Sequence, residues 1–100
     1  MTKRERPSRR NVTRGSVFDD PELFDPSRAA ELKMRAELLR GLERWLENSS
    51  LSQAEAGKTL GVTQARVSDI KHGKISGFSL DLLVRLAARA GLDPTVRLAA

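Results

Sequence analysis

Apolar residues recur at helical spacing in four stretches of this chain, and short polar or glycine-containing turns separate them. The first stretch predicts a helix from about Ser27 to Asn48, preceded by an Asp25-Pro26 pair that fits a helix N-terminus. Its apolar stripe consists of Ala30, Met34, Leu38, Leu42 and Trp45, with Leu39 and Leu46 beside it. Gly41 is a candidate site for a bend or break between the two halves of this helix.

Two short helices joined by a tight turn are predicted after the long one. Ser52 can cap the first, and Glu55, three residues on, can reach back to complete a capping box. Gly61 then ends the helix, because glycine readily adopts the left-handed conformation. Thr63 can cap the second helix, which ends at Gly73.

The two short helices are predicted to cross closely, with Gly57 at the contact. A glycine inside a helix costs about 1 kcal/mol relative to alanine, so its presence indicates that a larger side chain would not fit. Val67 and Ile70 occupy the buried side of the second helix. Its exposed side carries Gln64, Ala65, Arg66, Ser68, Asp69 and Lys71. Such a surface can lie in a DNA major groove, since glutamine and arginine offer paired hydrogen bonds to base edges and small residues allow close approach.

A last helix is predicted from Leu80 to Ala90. Ser79 can cap it, and Phe78 before the cap can pack on Leu83 as a hydrophobic staple. The expected core residues of this helix are Leu82, Leu83, Leu86, Ala87 and Ala90, and Gly91 follows as the stop signal.

The residues after the last helix change period. Thr95 to Leu98 fit a short strand that follows Pro94. A single strand is not stable alone, so this one would have to pair, for example with its copy in a second subunit.

Length and composition narrow the classes of function. One hundred residues correspond to one small domain with a tail. A net charge of +5 fits a protein that binds a polyanion, and the absence of cysteine excludes disulfides and cysteine-based metal sites. No apolar run is long enough to span a membrane, and no secretory signal is present, so a soluble cytoplasmic protein is expected.

Basic residues are concentrated at the N-terminus. Residues 1–15 hold six basic groups and one acid, and they have almost no apolar side chains, so we predict a disordered tail. This tail could follow a phosphate backbone or simply aid solubility. Residues 16–31 have the opposite character, with five acids and one base.

The acidic segment also contains apolar residues outside any predicted core helix: Val17, Phe18, Leu23 and Phe24. It is interpreted as a docking segment that packs on its own domain, on a sister subunit or on a partner protein. The leading half of the long helix, which includes Leu32, extends beyond what a DNA-binding domain needs. We therefore divide the chain into residues 1–15, 16–37 and 38–100.

Residues 52–74 resemble the helix-turn-helix of the phage-repressor-like (Xre/Cro-type) DNA-binding family. The positions that carry the resemblance are Gln53, Ala56, Gly57, Leu60, Gly61, Val62, Val67, Ile70 and Gly73. It implies an all-α fold: a compact bundle of about five helices containing the helix-turn-helix, with the basic tail before it and the short C-terminal strand as an open alternative.

The order of segments resembles a narrower group, the HigA-type antitoxins of bacterial toxin–antitoxin pairs. The resemblance covers about residues 16–98, and VSDIKHGKISGFSLDLLVRL is its most specific part, followed by SVFDD. It implies a protein that neutralises a RelE/HigB-like ribonuclease toxin and represses its own operon as a homodimer bound to double-stranded operator DNA. The toxin would bind residues 16–39, with Val17, Phe18, Leu23, Phe24 and Leu32 as the contact residues.

The resemblance also implies roles at the DNA. The base-reading residues would be Gln64, Ala65, Arg66 and Asp69. The phosphate contacts would be Gln53, Thr63, Ser68, Lys71 and Lys74, of which Lys74 is also expected from its place in the loop after the second short helix. The operator sequence does not carry over, because Ala65, Arg66 and Asp69 depart from the glutamine-rich phage pattern.

Two other functions remain as alternatives. A solitary Xre-type regulator without a toxin would use residues 16–39 only for its own packing or dimer. An interaction adaptor would have lost DNA binding. An enzyme is not expected, because the chain has one histidine, no cysteine and no phosphate-binding glycine loop, and we expect no cofactor and no metal.

Overall fold

Four α-helices and one short 3₁₀ turn form the ordered framework of residues 25–99, the part of the chain that this computed structural model describes. They are α1 (Pro26–Asn48), α2 (Gln53–Leu60), α3 (Gln64–Lys71), the 3₁₀ turn (Ile75–Gly77) and α4 (Leu80–Arg89). The predicted all-α fold is confirmed, and each helix lies within two residues of its expected bounds. The expected count of about five helices is met by four α-helices and the 3₁₀ turn.

The chain divides after Glu31 into two compact units. In the first, the Asp25 carboxylate accepts hydrogen bonds from the Ser27 amide and hydroxyl, both at 2.9 Å. The backbone hydrogen bond from Ser27, followed by that from its hydroxyl, lowers the pKa of Asp25. This confirms Asp25 as the cap of α1. Arg28 forms an ion pair with Glu31 at 3.1 Å.

In the second unit, α1 presents a different stripe from the one expected. Leu39 and Leu42 are buried, whereas Leu38 and Trp45 are half-buried and Met34 is 38% exposed. The buried stripe is continued towards the N-terminus by Arg35, which is 8% exposed. The helix runs without interruption through Gly41, so the predicted break there does not occur.

The core brings all the helices of this unit together. Its buried cluster comprises Leu39, Leu42, Leu60, Ile70, Phe78, Leu83 and Leu86. Phe78 is 1% exposed and lies in the same cluster as Leu83, as expected for a staple at the start of α4. Leu51, which precedes the Ser52 cap of α2, is 37% exposed and lies outside this cluster.

Glycines end the helices as predicted. Gly61, Gly73 and Gly91 have φ angles of 74°, 67° and 80°. After α3, the Gly73 amide donates to the Ile70 carbonyl and the Lys74 amide donates to the Asp69 carbonyl, both at 3.0 Å. These are the two hydrogen bonds of a Schellman motif, which satisfies the last carbonyls of a helix and turns the chain away from its axis.

The predicted C-terminal strand is absent from the described part of the chain. Residues 92–99 contain no regular secondary structure. Val96 and Leu98 are 73% and 85% exposed, so nothing in residues 25–99 covers them or supplies a pairing strand.

Candidate nucleic-acid interface

Helices α2 and α3 meet at Gly57, where no side chain separates the two backbones. A Cβ added there would lie 2.7 Å from the Val62 carbonyl oxygen and 3.6 Å from a Val67 methyl group. The Val62 amide donates back to the Gly57 carbonyl at 2.9 Å, which closes the turn. The glycine is therefore required by the close approach, as the sequence indicated.

Both short helices begin with a side-chain cap. The Ser52 hydroxyl accepts from the Glu55 amide at 3.1 Å, and the Ser52 amide donates to the Glu55 carboxylate at 2.8 Å, so the capping box is complete. The backbone hydrogen bond from Ser52, and then its hydroxyl, lowers the pKa of Glu55. At α3 the Thr63 hydroxyl accepts from the Arg66 amide at 3.2 Å. The caps fix where each helix starts and hence which side chains face outward.

The outward face of α3 begins with Gln64 and Ala65, which are both exposed. Asp69, one turn further on, is half-buried. The Gln64 amide makes no hydrogen bond with residues 25–99 and could reach a base edge, and Ala65 leaves room for close approach to a groove. The structure thus brings three of the predicted base-reading residues onto one short helix, and their contacts with bases stay a prediction.

Arg66, the fourth predicted base-reading residue, is engaged within the protein. Its Nη1 donates to the Gly77 carbonyl oxygen. Its guanidinium carbon lies 5.1 Å from the centre of the Phe78 ring, which places the cation against the ring. In this arrangement Arg66 reaches from α3 to the loop before α4.

The predicted phosphate contacts are distributed around the helix pair. Thr63, Lys71 and Lys74 are exposed, whereas Gln53 and Ser68 are half-buried. Lys71 and Gln53 line a shared depression that also includes Glu43 and Glu47. Neither Lys71 nor Lys74 has a carboxylate from residues 25–99 within 4 Å, so both ammonium groups are available to a phosphate as far as these residues are concerned.

His72 ends α3 as its C-terminal cap residue and is exposed. Its Nδ1 lies 2.7 Å from the Ser68 carbonyl oxygen and 3.4 Å from the Ser68 hydroxyl. The Ser68 carbonyl already accepts from the His72 amide at 3.0 Å, so an Nδ1–H would be a second donor to a carbonyl in the last turn of the helix. This contact assigns the single histidine a local structural role.

Two arginines that were not predicted as site residues donate hydrogen bonds to backbone carbonyls of other elements. Arg35 on α1 donates through Nε to the Phe78 carbonyl at 2.9 Å and through Nη2 to the Ile75 carbonyl at 3.1 Å. Arg89 on α4 donates to the Leu60 carbonyl at 2.9 Å, at the C-terminal end of α2. One signal for Arg35 was available, because the spacing of Leu39 and Leu42 extends back to position 35 on the same helix face.

Of the predicted partner-binding residues, only Leu32 lies within the described part of the chain, and it is 37% exposed. Val17, Phe18, Leu23 and Phe24 lie outside it. An apolar groove of about 270 Å³ runs between α1, α4 and the C-terminal segment, and it is lined mainly by Met34, Leu38, Leu80, Val84, Pro94 and Val96.

Residues 25–99 contain neither a metal-binding cluster nor a membrane-spanning helix. No group of three or more histidine, cysteine or acidic side chains could hold a metal ion there. None of these helices is long and apolar enough to cross a membrane.

A family model described as a helix-turn-helix domain matches residues 17–99. No curated protein matches the chain. The match covers most of the chain, including α2, the turn and α3, whose geometry is described above. The chain therefore belongs to this helix-turn-helix family, of the Xre-like type whose domains bind DNA.

Proposed function

We propose that this protein is a sequence-specific repressor that binds operator DNA as a dimer, and that it serves as the antitoxin of a ribonuclease toxin. The observation that carries the DNA-binding part is the face of α3. Gln64 and Ala65 are exposed on a helix whose position is fixed by its cap, by Gly57 and by a buried core. A rigid, exposed helix of this kind is what major-groove reading requires.

Phosphate contacts would hold the helix in register on the duplex. Lys74 follows the Schellman turn after α3, and Gln53 occupies the first position of α2 behind the Ser52 cap. Contacts from such positions orient a protein on DNA without reading sequence. Base discrimination would then depend on α3.

Dimerisation is proposed from the size of α3. Eight residues make a helix about 12 Å long. Such a helix reads only a few base pairs, too few to specify one site in a genome. Two copies about 34 Å apart would read a palindrome with one half-site per copy.

The antitoxin role is supported by the segment order and by the exposed part of α1. An acidic segment with four large apolar residues precedes the long helix, and Leu32 and Met34 are both more than one-third exposed. A small basic ribonuclease offers a matching charge. The proposal assigns no catalytic step to the chain itself.

The DNA-binding part is tested by selecting sites from random DNA with the purified protein and then measuring affinity by fluorescence anisotropy. Gln64→Ala should relax the preference at one base pair per half-site and weaken the selected site by about 1–3 kcal/mol. Lys58→Ala, which changes an exposed residue of α2, serves as the control and should leave the preference unchanged. A wild-type protein that enriches no sequence would contradict the proposal.

The antitoxin part is tested by co-expression with the product of an adjacent gene for a small basic protein, where the genome has one. A deletion of residues 16–39 would remove Arg35 and Leu39 from the folded domain, so the sharper variant is Phe18→Ser with Phe24→Ser. We expect copurification that this variant loses and that Gln64→Ala keeps. If the wild type binds its operator but does not copurify with the neighbouring protein, the antitoxin role is wrong and the protein is a solitary regulator.

A further inference from the structure

Three carbonyl groups of one loop accept hydrogen bonds from two arginines on different helices. The loop is residues 75–78, between α3 and α4. Arg35 on α1 binds the Ile75 and Phe78 carbonyls at 3.1 Å and 2.9 Å, and Arg66 on α3 binds the Gly77 carbonyl. We call this arrangement the arginine clamp.

Two of the three carbonyls, those of Gly77 and Phe78, have no backbone donor among residues 25–99, and Arg66 and Arg35 supply one donor to each. The Ile75 carbonyl already accepts from the Phe78 amide at 3.1 Å within the single 3₁₀ turn, and Arg35 adds a second donor to it. The hydrogen bond between Arg35 and Phe78 is buried. A buried carbonyl without a donor is costly, and guanidinium groups donate strongly. The loop is therefore fixed by both helices.

Arg66 is held on two sides. One edge of its guanidinium donates to Gly77, and one face lies against the ring of Phe78, which is itself buried in the core. If Arg66 turned towards a base edge, it would lose its contacts with both Gly77 and Phe78. Gln64 and Ala65, the two residues before Arg66, are exposed, and their side chains make no hydrogen bond with the described part of the chain.

We propose that Arg66 is a positioning residue and reads no base. Together with Arg35 it holds the loop, and Lys74 immediately before it, at a fixed place beside α3. Base reading then falls to Gln64, Ala65 and Asp69. This inference rests on the proposed DNA-binding function and replaces the base-reading role that residue type and the family resemblance gave to Arg66.

The test compares single-base-pair profiles of the selected operator. Each base pair of a half-site is substituted in turn, and affinity is measured for the wild type, Arg66→Ala and Gln64→Ala, corrected for the folded fraction of each protein. We expect Arg66→Ala to bind every site about tenfold more weakly, with a profile parallel to that of the wild type, because loosened positioning contacts act equally on all sequences. Gln64→Ala should lose discrimination at one base pair.

Arg35→Met provides the second variant, because Arg35 lies on α1 and is 8% exposed. It removes the donors and keeps a long side chain. Since the clamp acts through the loop, this variant should give the same parallel profile as Arg66→Ala. If Arg66→Ala does not fold, Arg66→Lys replaces it, because lysine keeps the charge without the planar group that lies on Phe78.

The outcomes separate this inference from the proposed function. Loss of discrimination at a single base pair in the Arg66 variant would overturn the positioning role and restore base reading. An Arg66 variant with wild-type affinity at every site would also overturn it. A wild-type protein that selects no sequence would instead overturn the proposed function itself.

Discussion

Gly57 provides a test at the scale of a single residue. In most helices alanine is more stable than glycine by about 1 kcal/mol. Here the added methyl group would lie 2.7 Å from the Val62 carbonyl oxygen, which belongs to the backbone of the turn. Gly57→Ala should therefore lower the free energy of unfolding by about 1–3 kcal/mol, measured by urea denaturation.

Gly41 is the matched control for this substitution. It also lies inside a helix, but a Cβ there would meet nothing within 4 Å. Gly41→Ala should raise the free energy of unfolding by up to about 1 kcal/mol. Opposite signs for the two variants are expected, and a loss of stability at Gly41 comparable to that at Gly57 would refute the packing argument.

At this scale the sequence predicted the role of a glycine but not the contacts of two arginines. The requirement at Gly57 was predictable because local signals set the bounds of α2 and α3 and so place Gly57 where the two helices meet. The orientations of Arg35 and Arg66 were not, because their partners are carbonyls 11 to 43 residues away. Residue type and the family resemblance both favoured base reading for Arg66, whereas its contacts with Gly77 and Phe78 tie it to the protein.

At the scale of an element, the start of α2 should respond to pH. Hydrogen bonds from Ser52 lower the pKa of Glu55 below its ordinary value of 4.5. The resulting stability is therefore fully present above pH 4.5 and is lost as the pH falls through the lower pKa of the folded state. Glu55→Gln keeps an acceptor for the Ser52 amide but does not titrate.

We therefore expect the free energy of unfolding of Glu55→Gln to fall less between pH 6 and pH 3 than that of the wild type. Chemical denaturation at a series of pH values measures this difference. Equal pH dependence in the two proteins would show that the capping carboxylate does not contribute in this range.

Element boundaries were predicted well because their signals are local. Caps at Ser52, Thr63 and Ser79 and stops at the three left-handed glycines are determined by neighbouring residues. The buried face of α1 was predicted less well, since several apolar stripes were possible and the choice among them depends on the other helices. The predicted strand at residues 95–98 does not form in the described part of the chain, because a strand needs a pairing strand and residues 25–99 contain none.

At the scale of the whole molecule, charge should determine the strength of DNA binding. Log affinity falls as log salt rises, and each phosphate neutralised by a cation makes this negative slope steeper by about 0.9. Lys74→Ala should therefore make the slope shallower by about one and weaken all sequences alike. Fluorescence anisotropy across a salt series measures both quantities.

Lys33→Ala removes an equal charge from the exposed surface of α1 and serves as the control for net charge. It should leave the slope as in the wild type. A similar change of the slope in both variants would mean that the slope reports only the overall charge of the protein. Lys74 would then have no specific phosphate contact. The location of Lys74 was predictable from sequence, but its fixed place beside α3 follows from the loop contacts described above.

The hydrogen bond from Arg89 to the Leu60 carbonyl has a consequence for how the domain unfolds. It joins the last turn of α4 to the last turn of α2, 29 residues apart in sequence. Helix α2 has only eight residues and is too short to persist alone. Its amides should therefore exchange with solvent only when α4 also detaches, so that α2, α3 and α4 behave as a single cooperative unit in hydrogen exchange.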